Sequence, residues 1–354
     1  MIDLHGRLPS ACVVLLMMSF PQIACAENPI TRQDSTHSDR VHIVGVNSIE
    51  PFFSFNKSPL IQIHALPAIE RAGILSTGRV RYRLVNSLAS NYTFDDTLTE
   101  SVLFDGETNR STFIYSQGVG RGWEWGVQIP YISHAPGSLD RFIDQWHDFF
   151  GLPEGGRNAA PRGRLTYRYQ HNGVTELALT NRTAGIGDVR LKAGRQWPSA
   201  NVGRRMAIRA TLSLPTGDSD ALQGSGAAEF ALWATADQRE QWFAHPGSLF
   251  GGGGLLLMGD GKVLKKQQRR AVAFGSLGAG MQVLPWITLK LQADINSSFY
   301  DDSALVQVNA TAVQLLMGGD LQLAKNVKLS LMVSEDISVH ASPDVVFQMG
   351  LVVE

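Results

Sequence analysis

A period-two alternation of apolar and polar residues recurs along most of this chain and constrains its fold more than any other feature. In the segment GRVRYRLV, the apolar side chains share one face of an extended strand and three arginines share the other. The same pattern recurs in RLTYRYQ, DVRLKAG, RMAIRATLSL, ITLKLQADI and VKLSLMV. Because this alternation is typical of strands with two different faces, it predicts an all-β protein.

Two β architectures contain such strands. In a soluble sandwich, the apolar face meets a core and the polar face meets water. In a membrane barrel, the apolar face meets lipid and the polar face lines the lumen. Strands of about ten residues or more suit a tilted membrane crossing. We therefore predict a transmembrane, antiparallel, up-and-down β-barrel of about 14 strands, within a range of about 12 to 16, since bacterial barrels usually have even strand numbers.

An export signal precedes the strands. Arg7 supplies a positive charge, the run ACVVLLMMSF is apolar, and Ala24–Cys25–Ala26 is typical of a cleavage site. The sequence therefore predicts a signal peptide over residues 1–26. Both cysteines, Cys12 and Cys25, lie in this signal, so we expect the mature chain to lack a disulfide and a thiol nucleophile.

The remainder divides into two predicted parts. Residues 27–70 form an N-terminal extension, lumenal or periplasmic, and residues 71–354 form the barrel, including a helix at 138–150. Export combined with such strands predicts the outer membrane of a Gram-negative cell, with outer-membrane lipid and the barrel assembly machinery as partners. The formal net charge of -1 gives no reason to expect nucleic acid. No cofactor and no metal site are predicted.

The polar faces of the predicted strands are rich in basic residues. The predicted lumen-lining basic residues are Arg79, Arg81, Arg83, Arg164, Arg168, Arg190, Lys192, Arg205, Arg209, Lys290 and Lys328. Fewer acidic residues share these faces, so the sequence predicts a basic lumen.

One stretch, SLDRFIDQWHDFF, has the spacing of an amphipathic helix. Its apolar face includes Phe142 and Trp146, and beside it Asp140, Asp144 and Asp148 recur every four residues. These aspartates suggest a plug in the lumen, where they would meet the arginines, because buried charges need partners. A helix on the membrane surface and a helix packed on the barrel rim are the alternatives.

No motif in the sequence predicts catalysis. Asp144 and His147 share a helix face, but a lone pair of this kind is usually a solvated surface, and no serine motif accompanies it. We therefore predict a passive pore or uptake channel for small molecules, with a small anionic or aromatic solute, and no enzyme. The alternatives are an outer-membrane enzyme acting on lipid or a surface substrate, and a closed structural or interaction barrel.

Two patterns resemble known families. The run DQWHDFFGLPEGGRNAAPRGRLTYRY, with NKSPLIQIHALP and LFDGET, resembles a bacterial family known as domain of unknown function 3187. This resemblance extends over most of the mature chain and implies an outer-membrane barrel-like fold without an assigned reaction. The run GIGDVRLKAGRQW, followed by LSLPTGD, is more weakly similar to outer-membrane proteins of phenol meta-degradation pathways. It implies barrel architecture and no substrate.

Overall fold

Antiparallel strands dominate the computed structural model, which describes residues 49–137, 163–199, 201, 203–337 and 342–354 of the 354-residue chain. The elements are β1 (Val80–Asp96), β2 (Glu100–Gly120), β3 (Trp123–Ala135), β4 (Thr166–His171), β5 (Val174–Leu179), β6 (Thr183–Ile186), β7 (Val189–Trp197), β8 (Arg204–Leu214), β9 (Glu229–Trp242), β10 (His245–Met258), β11 (Ala271–Leu284), β12 (Ile287–Asn296), the short helix α1 (Val306–Asn309), β13 (Ala312–Ala324), β14 (Val327–Asp336) and β15 (Val345–Val353).

Twelve of these strands form a closed ring. Each pairs with its neighbour along the chain, except that β3 pairs with β7 across the insertion that carries β4, β5 and β6. The ring closes where β1 pairs with β15, with Tyr82 opposite Val353 and Ser90 opposite Val345. Because closure leaves no free strand edge in the ring, every ring strand has hydrogen-bonding neighbours on both sides.

The two ends of the barrel differ in their connections. At the short-turn end, four connections are turns of two residues. They join β2 to β3, β9 to β10, β11 to β12 and β13 to β14. At the long-loop end, the connection of residues 97–99 is short, and the connections at 215–228, 259–270 and 297–311 are longer. The first residues of β1 and the last residues of β15 also lie at the short-turn end.

The alternation predicted from the sequence appears as an apolar outer face and a polar inner face. Leu191, Leu232 and Leu291 are 45%, 50% and 51% exposed on the outside of the ring. Their neighbours along the strands, such as Lys192 and Lys290, are buried. An outer apolar band with a polar interior is the arrangement of a barrel in lipid.

The 12 strands of the ring lie at the lower end of the predicted range of about 12 to 16, below the favoured number of about 14. In the sequence, residues 97–105 and 108–118 have the pattern of two separate strands, but both ranges contribute to the single strand β2, which runs on through Gly106. Residues 164–171 and 174–180 also have the pattern of strands, and they correspond to β4 and β5, which lie outside the ring. A period-two pattern continues through a long strand and also occurs in strands beyond the membrane, so the pattern alone overcounts.

The strands β4, β5 and β6, named here the extension, add to the long-loop end. The strand β4 pairs with the first part of β2, from Glu100 to Asp105, and β5 pairs with β4. The strand β6 pairs with the last part of β3. No helix among the described residues is long and apolar enough to cross a membrane. The predicted helix at 138–150 lies outside the described residues.

Candidate functional site

Residues 49–75, named here the lumenal segment, lie inside the ring. Every residue from 49 to 70 is buried, although the segment contains no strand. Side chains from β2, β7, β9 and β12 all bind it, which means that it is contacted from opposite sides of the ring. Two cavities of about 20 Å³ lie beside it, each with space for about one water molecule.

The lumenal segment is a loop that enters and leaves at the short-turn end. Near its start, Glu50 contacts the first residues of β1. Its tip lies near the long-loop end, where the Tyr300 hydroxyl donates to the Leu60 carbonyl over 3.0 Å. It returns to the short-turn end at Leu75, whose amide donates to Glu124 at the start of β3 over 3.2 Å. The segment therefore spans much of the lumen twice.

Glu50 joins the start of the lumenal segment to the wall. Basic groups surround its carboxylate: Arg71 at 3.0 Å, Arg83 at 3.1 Å, Arg81 at 3.4 Å and Lys328 at 3.6 Å. Burial alone would raise the pKa of Glu50, but Arg81, Lys328 and Arg83 outweigh burial and hold the pKa well below its usual value. The side chain is thus a buried carboxylate that neutralises cations of β1 and β14.

Further ion pairs line the interior. They are Lys192–Glu70 and Lys290–Asp320 at 2.7 Å, Arg205–Asp237 at 2.9 Å and Arg209–Glu124 at 3.2 Å. Glu70 belongs to the lumenal segment, and the other acids belong to the wall. Burial alone would raise the pKa of Glu70, but Lys192 and Arg209 lower it to about 2. Most of the cationic side chains in the lumen therefore form an ion pair with a carboxylate.

His64 fixes the segment near its tip. Its Nδ1 lies 2.6 Å from Glu229 Oε1 at the start of β9, and its Nε2 lies 3.0 Å from the Tyr300 hydroxyl. The imidazole also stacks on Phe299, with ring centroids 5.1 Å apart. Around this point Leu60 and its neighbours join a large apolar cluster. The tip is thus held by both polar and apolar contacts.

The predicted lumen-lining basic residues fall into three groups. Those that are buried are Arg81, Arg83, Arg190, Lys192, Arg209 and Lys290. Those that are half-buried are Arg164, Arg205 and Lys328. Arg79 and Arg168 are exposed.

The prediction that Arg79 and Arg168 line the lumen is therefore wrong. Arg79 precedes β1 and lies at the barrel end. On β4, Tyr167 and Tyr169 are fully buried, so Arg168 must point outward. On β4 the apolar side chains face inward and Arg168 faces outward, as in a water-soluble sheet, and this is the reverse of the arrangement in the ring. Arg164 donates to Asp105 over 2.6 Å beside the extension.

The predicted helix plug, with Asp140, Phe142, Asp144, Trp146 and Asp148, lies outside the described residues. Among those that are described, the lumenal segment occupies the interior. The sequence predicts a lumenal or periplasmic position for residues 27–70, and no pattern in it indicates that Glu50 and Glu70 pair with the wall. One available signal was the run PLIQIHALPAIE, which is apolar enough to be buried but lacks the alternation of a strand.

The sequence and the fold both relate this chain to known proteins. Residues 43–354 match the family described as protein of unknown function (DUF3187). The chain belongs to the DUF3187 family. This match confirms the resemblance carried by the run DQWHDFFGLPEGGRNAAPRGRLTYRY and by the two shorter runs. No curated protein matches the sequence. The weaker resemblance to proteins of phenol meta-degradation pathways stays a prediction.

Two solved structures resemble this DUF3187 protein in fold. The COG4313 outer membrane channel from Pseudomonas putida F1 is 11% identical, with a TM-score of 0.50, and the match covers 80% of this chain and 97% of that one. The NanC porin is 6% identical, with a TM-score of 0.43, and the match covers 78% and 100% of the two chains. At such identities the likeness to the first protein shows a shared barrel fold.

Proposed function

We propose that this protein is a passive outer-membrane channel for small molecules, closed in the described structure by its lumenal segment. The polar inner wall carries this proposal. Ion pairs such as Lys290–Asp320 and Arg209–Glu124 each join two side chains that belong to different strands of the wall. Apolar residues fill a permanently closed interior at a lower desolvation cost than ion pairs do. A charged wall therefore favours a lumen that meets water when the segment leaves.

The fold supports an outer-membrane location. The barrel resembles a Pseudomonas putida protein described as an outer membrane channel. In bacterial barrels, short turns face the periplasm and long loops face outward. On that rule, the lumenal segment enters from the periplasm and its tip points toward the outside.

We also propose that the open lumen is basic. In the closed state, Glu50 and Glu70 neutralise groups of the wall. When the segment leaves, these two carboxylates leave with it. Arg83 and Lys192 then face the lumen without the acids that they bind in the closed state. Such a wall prefers anions, and the preference weakens as salt screens its charges.

A closed structural barrel is the second candidate. The apolar contacts of the tip favour it, because Leu60, Ile61 and Ile63 are buried in a cluster with wall residues. Burying apolar surface stabilises the docked segment by about 25 cal/mol per Å². On this account the segment never leaves, and the barrel serves as a scaffold.

A reversible cross-link at the tip separates the two candidates. Asn56 of the segment and Asn296 of β12 are in contact, with 3.4 Å between their amide groups. In the variant with Asn56→Cys and Asn296→Cys, a short cleavable thiol cross-linker joins the tip to the wall. In swelling assays with proteoliposomes, we expect arabinose uptake to fall to the lipid background after cross-linking and to return after cleavage.

The matched control is Asn296→Cys alone, treated with the same reagent, which leaves the tip free. Heat-modifiable mobility on gels reports that each barrel is folded. Uptake at the lipid background in every state, with the barrel folded, would refute the channel and support the closed scaffold.

A further inference from the structure

Three basic side chains in the lumen differ from the others. In the described part of the chain, Lys57, Arg110 and Arg190 have no carboxylate within ion-pair distance, whereas the other buried lumenal cations do. They are 3%, 4% and 3% exposed, respectively. A buried cation without a counter-ion is costly. We name these residues the basic trio.

The basic trio converges on one ring, that of Phe55 in the lumenal segment. The Lys57 ammonium lies 3.2 Å from the ring centre. The guanidinium carbons of Arg110 and Arg190 each lie 5.3 Å from it. Arg110 comes from β2 and Arg190 from β7, which are separated by β3 alone. The two arginines are therefore fixed on adjacent parts of the wall, with an aromatic ring between them.

The hydrogen-bond acceptors at these two arginines are neutral backbone carbonyls of the lumenal segment. Arg110 Nη1 donates to the Gln62 carbonyl over 3.2 Å. Arg190 donates from Nη1 to the Leu66 carbonyl over 3.1 Å and from Nη2 to the His64 carbonyl over 2.6 Å. The Nε atoms of both arginines, and the side-chain amide of Gln62, are buried and have no hydrogen-bond partner in the part of the chain that the structure describes. Among the described residues, neither guanidinium group therefore forms an ion pair with a carboxylate, and each retains one donor without a partner.

We infer that Arg110 and Arg190 form a binding site for a small oxyanion, a carboxylate or a phosphate, and that this anion competes with the lumenal segment for the two guanidinium groups. Planar guanidinium groups bind such oxyanions through paired, charge-assisted hydrogen bonds. A carbonyl of the segment and an oxyanion cannot hold the same donor together. The anion thus binds the state in which the segment has left, and it shifts the population toward that state.

Lys57 favours the same exchange. Burial, with Arg110 and Arg190 close by, lowers the pKa of this lysine well below its usual value. When the segment leaves, the lysine returns to water with the ring of Phe55. The vacated position lies between two cations and has the size of an aromatic ring, so a carboxylate carried on a ring fits it better than a smaller one.

Labelling of the segment tip tests this inference, which rests on the proposed function. Ser58 is buried in the turn at the tip. In the Ser58→Cys variant, a membrane-impermeant maleimide reports each exposure of the tip. At constant ionic strength, replacing chloride by benzoate, acetate or phosphate is expected to raise the labelling rate, by about tenfold for the best anion. If benzoate raises the labelling rate most, the site is assigned to aromatic carboxylates. If phosphate raises it most, the site is assigned to phosphates.

Substitutions at the site complete the test. In the same background, Arg110→Gln and Arg190→Gln should each abolish the rise in labelling rate that the anion causes. This holds whatever the labelling rate of each variant in chloride. Arg209→Gln is the matched control, because Arg209 is a lumenal arginine held by Glu124. This variant should show the same rise in labelling rate as the parent when the anion is added.

Two results would overturn the inference: no anion changes the labelling rate, or the rise persists in both site variants. Labelling reports movement of the segment and does not depend on solute passage. Failure of the channel proposal, seen as absent arabinose uptake, is therefore distinguishable from failure of this site.

Discussion

At the residue scale, the carboxylate of Glu50 holds the lumenal segment to the wall. Replacing it by Glu50→Gln leaves Arg83 and Lys328 facing a neutral amide. Breaking a buried ion pair by removing one partner costs about 3–5 kcal/mol, so docking of the segment should weaken by a large part of that amount. We expect faster maleimide labelling of the Ser58→Cys tip.

The control for this substitution is Glu240→Gln, at an exposed position on β9. It should label at the rate of the parent protein. If Glu50→Gln labels no faster than this control while the barrel stays folded, the carboxylate does not hold the segment.

Lys57 gives the docked state a dependence on pH. Burial, Arg110 and Arg190 lower its pKa in the docked segment, against the opposing effect of Asp294. In the released segment the pKa of Lys57 is near the usual value for a lysine in water, about 10.4. Between these two values the released state binds more protons, so docking strengthens as pH rises. We expect open probability in planar bilayers to fall from pH 7 to pH 10, and Lys57→Met to flatten this slope.

Lys265→Met, at an exposed position in a long loop, is the control and should leave the slope unchanged. An equal slope in the wild type and in Lys57→Met would exclude titration of this lysine as the cause.

For single residues, strand alternation predicts which side of the strand a side chain lies on, and nothing more. In β1, the pattern correctly separates the inward Arg81 and Arg83 from the outward Tyr82 and Leu84. It does not reveal partners. Glu70 and Lys192 are 122 residues apart in the sequence, and nothing local to either residue signals the contact. Ion pairs across a lumen depend on the closed ring and the path of the segment, which alternation does not encode.

At the element scale, the outer faces of the strands are apolar, as surfaces that face lipid are. Leu291 lies in the middle of β12 and is 51% exposed. Leu291→Arg should lower the free energy of unfolding by about 2–4 kcal/mol, because a charge at mid-membrane depth on the lipid face is poorly solvated. Leu98→Arg, in the exposed turn after β1, should cost about 0–1 kcal/mol. Denaturant unfolding in liposomes measures both, and equal losses would contradict a lipid-facing β12.

Element type was more predictable than element number. Alternation identified the strands of the ring, because each of them has an apolar outer face and a polar inner face. It could not separate β4 and β5 from the ring, since both also alternate. Their register with β2 depends on the apolar packing of Tyr167 and Phe104, whose rings meet edge to face with centroids 5.9 Å apart. That packing is a tertiary property.

At the scale of the whole molecule, the described residues form a barrel with a charged inner wall and a loop of the same chain inside it. The sequence predicts the barrel, and it allows a lumenal position for residues 27–70 without requiring one. The described part of that region, from residue 49 onward, is buried throughout. The reason that this was not predictable is physical. The segment lacks periodicity, and its contacts are complementary to a lumen that exists only once the ring has closed.

The central claim is that the lumenal segment closes a water-accessible pore. The most direct test is the conductance, in planar lipid bilayers, of a variant that lacks residues 49–75, compared with the full chain. Heat-modifiable mobility verifies that both barrels are folded. The account predicts a steady and larger conductance for the variant, and a low conductance with brief openings for the full chain. A folded variant that conducts no more than the full chain would contradict the claim.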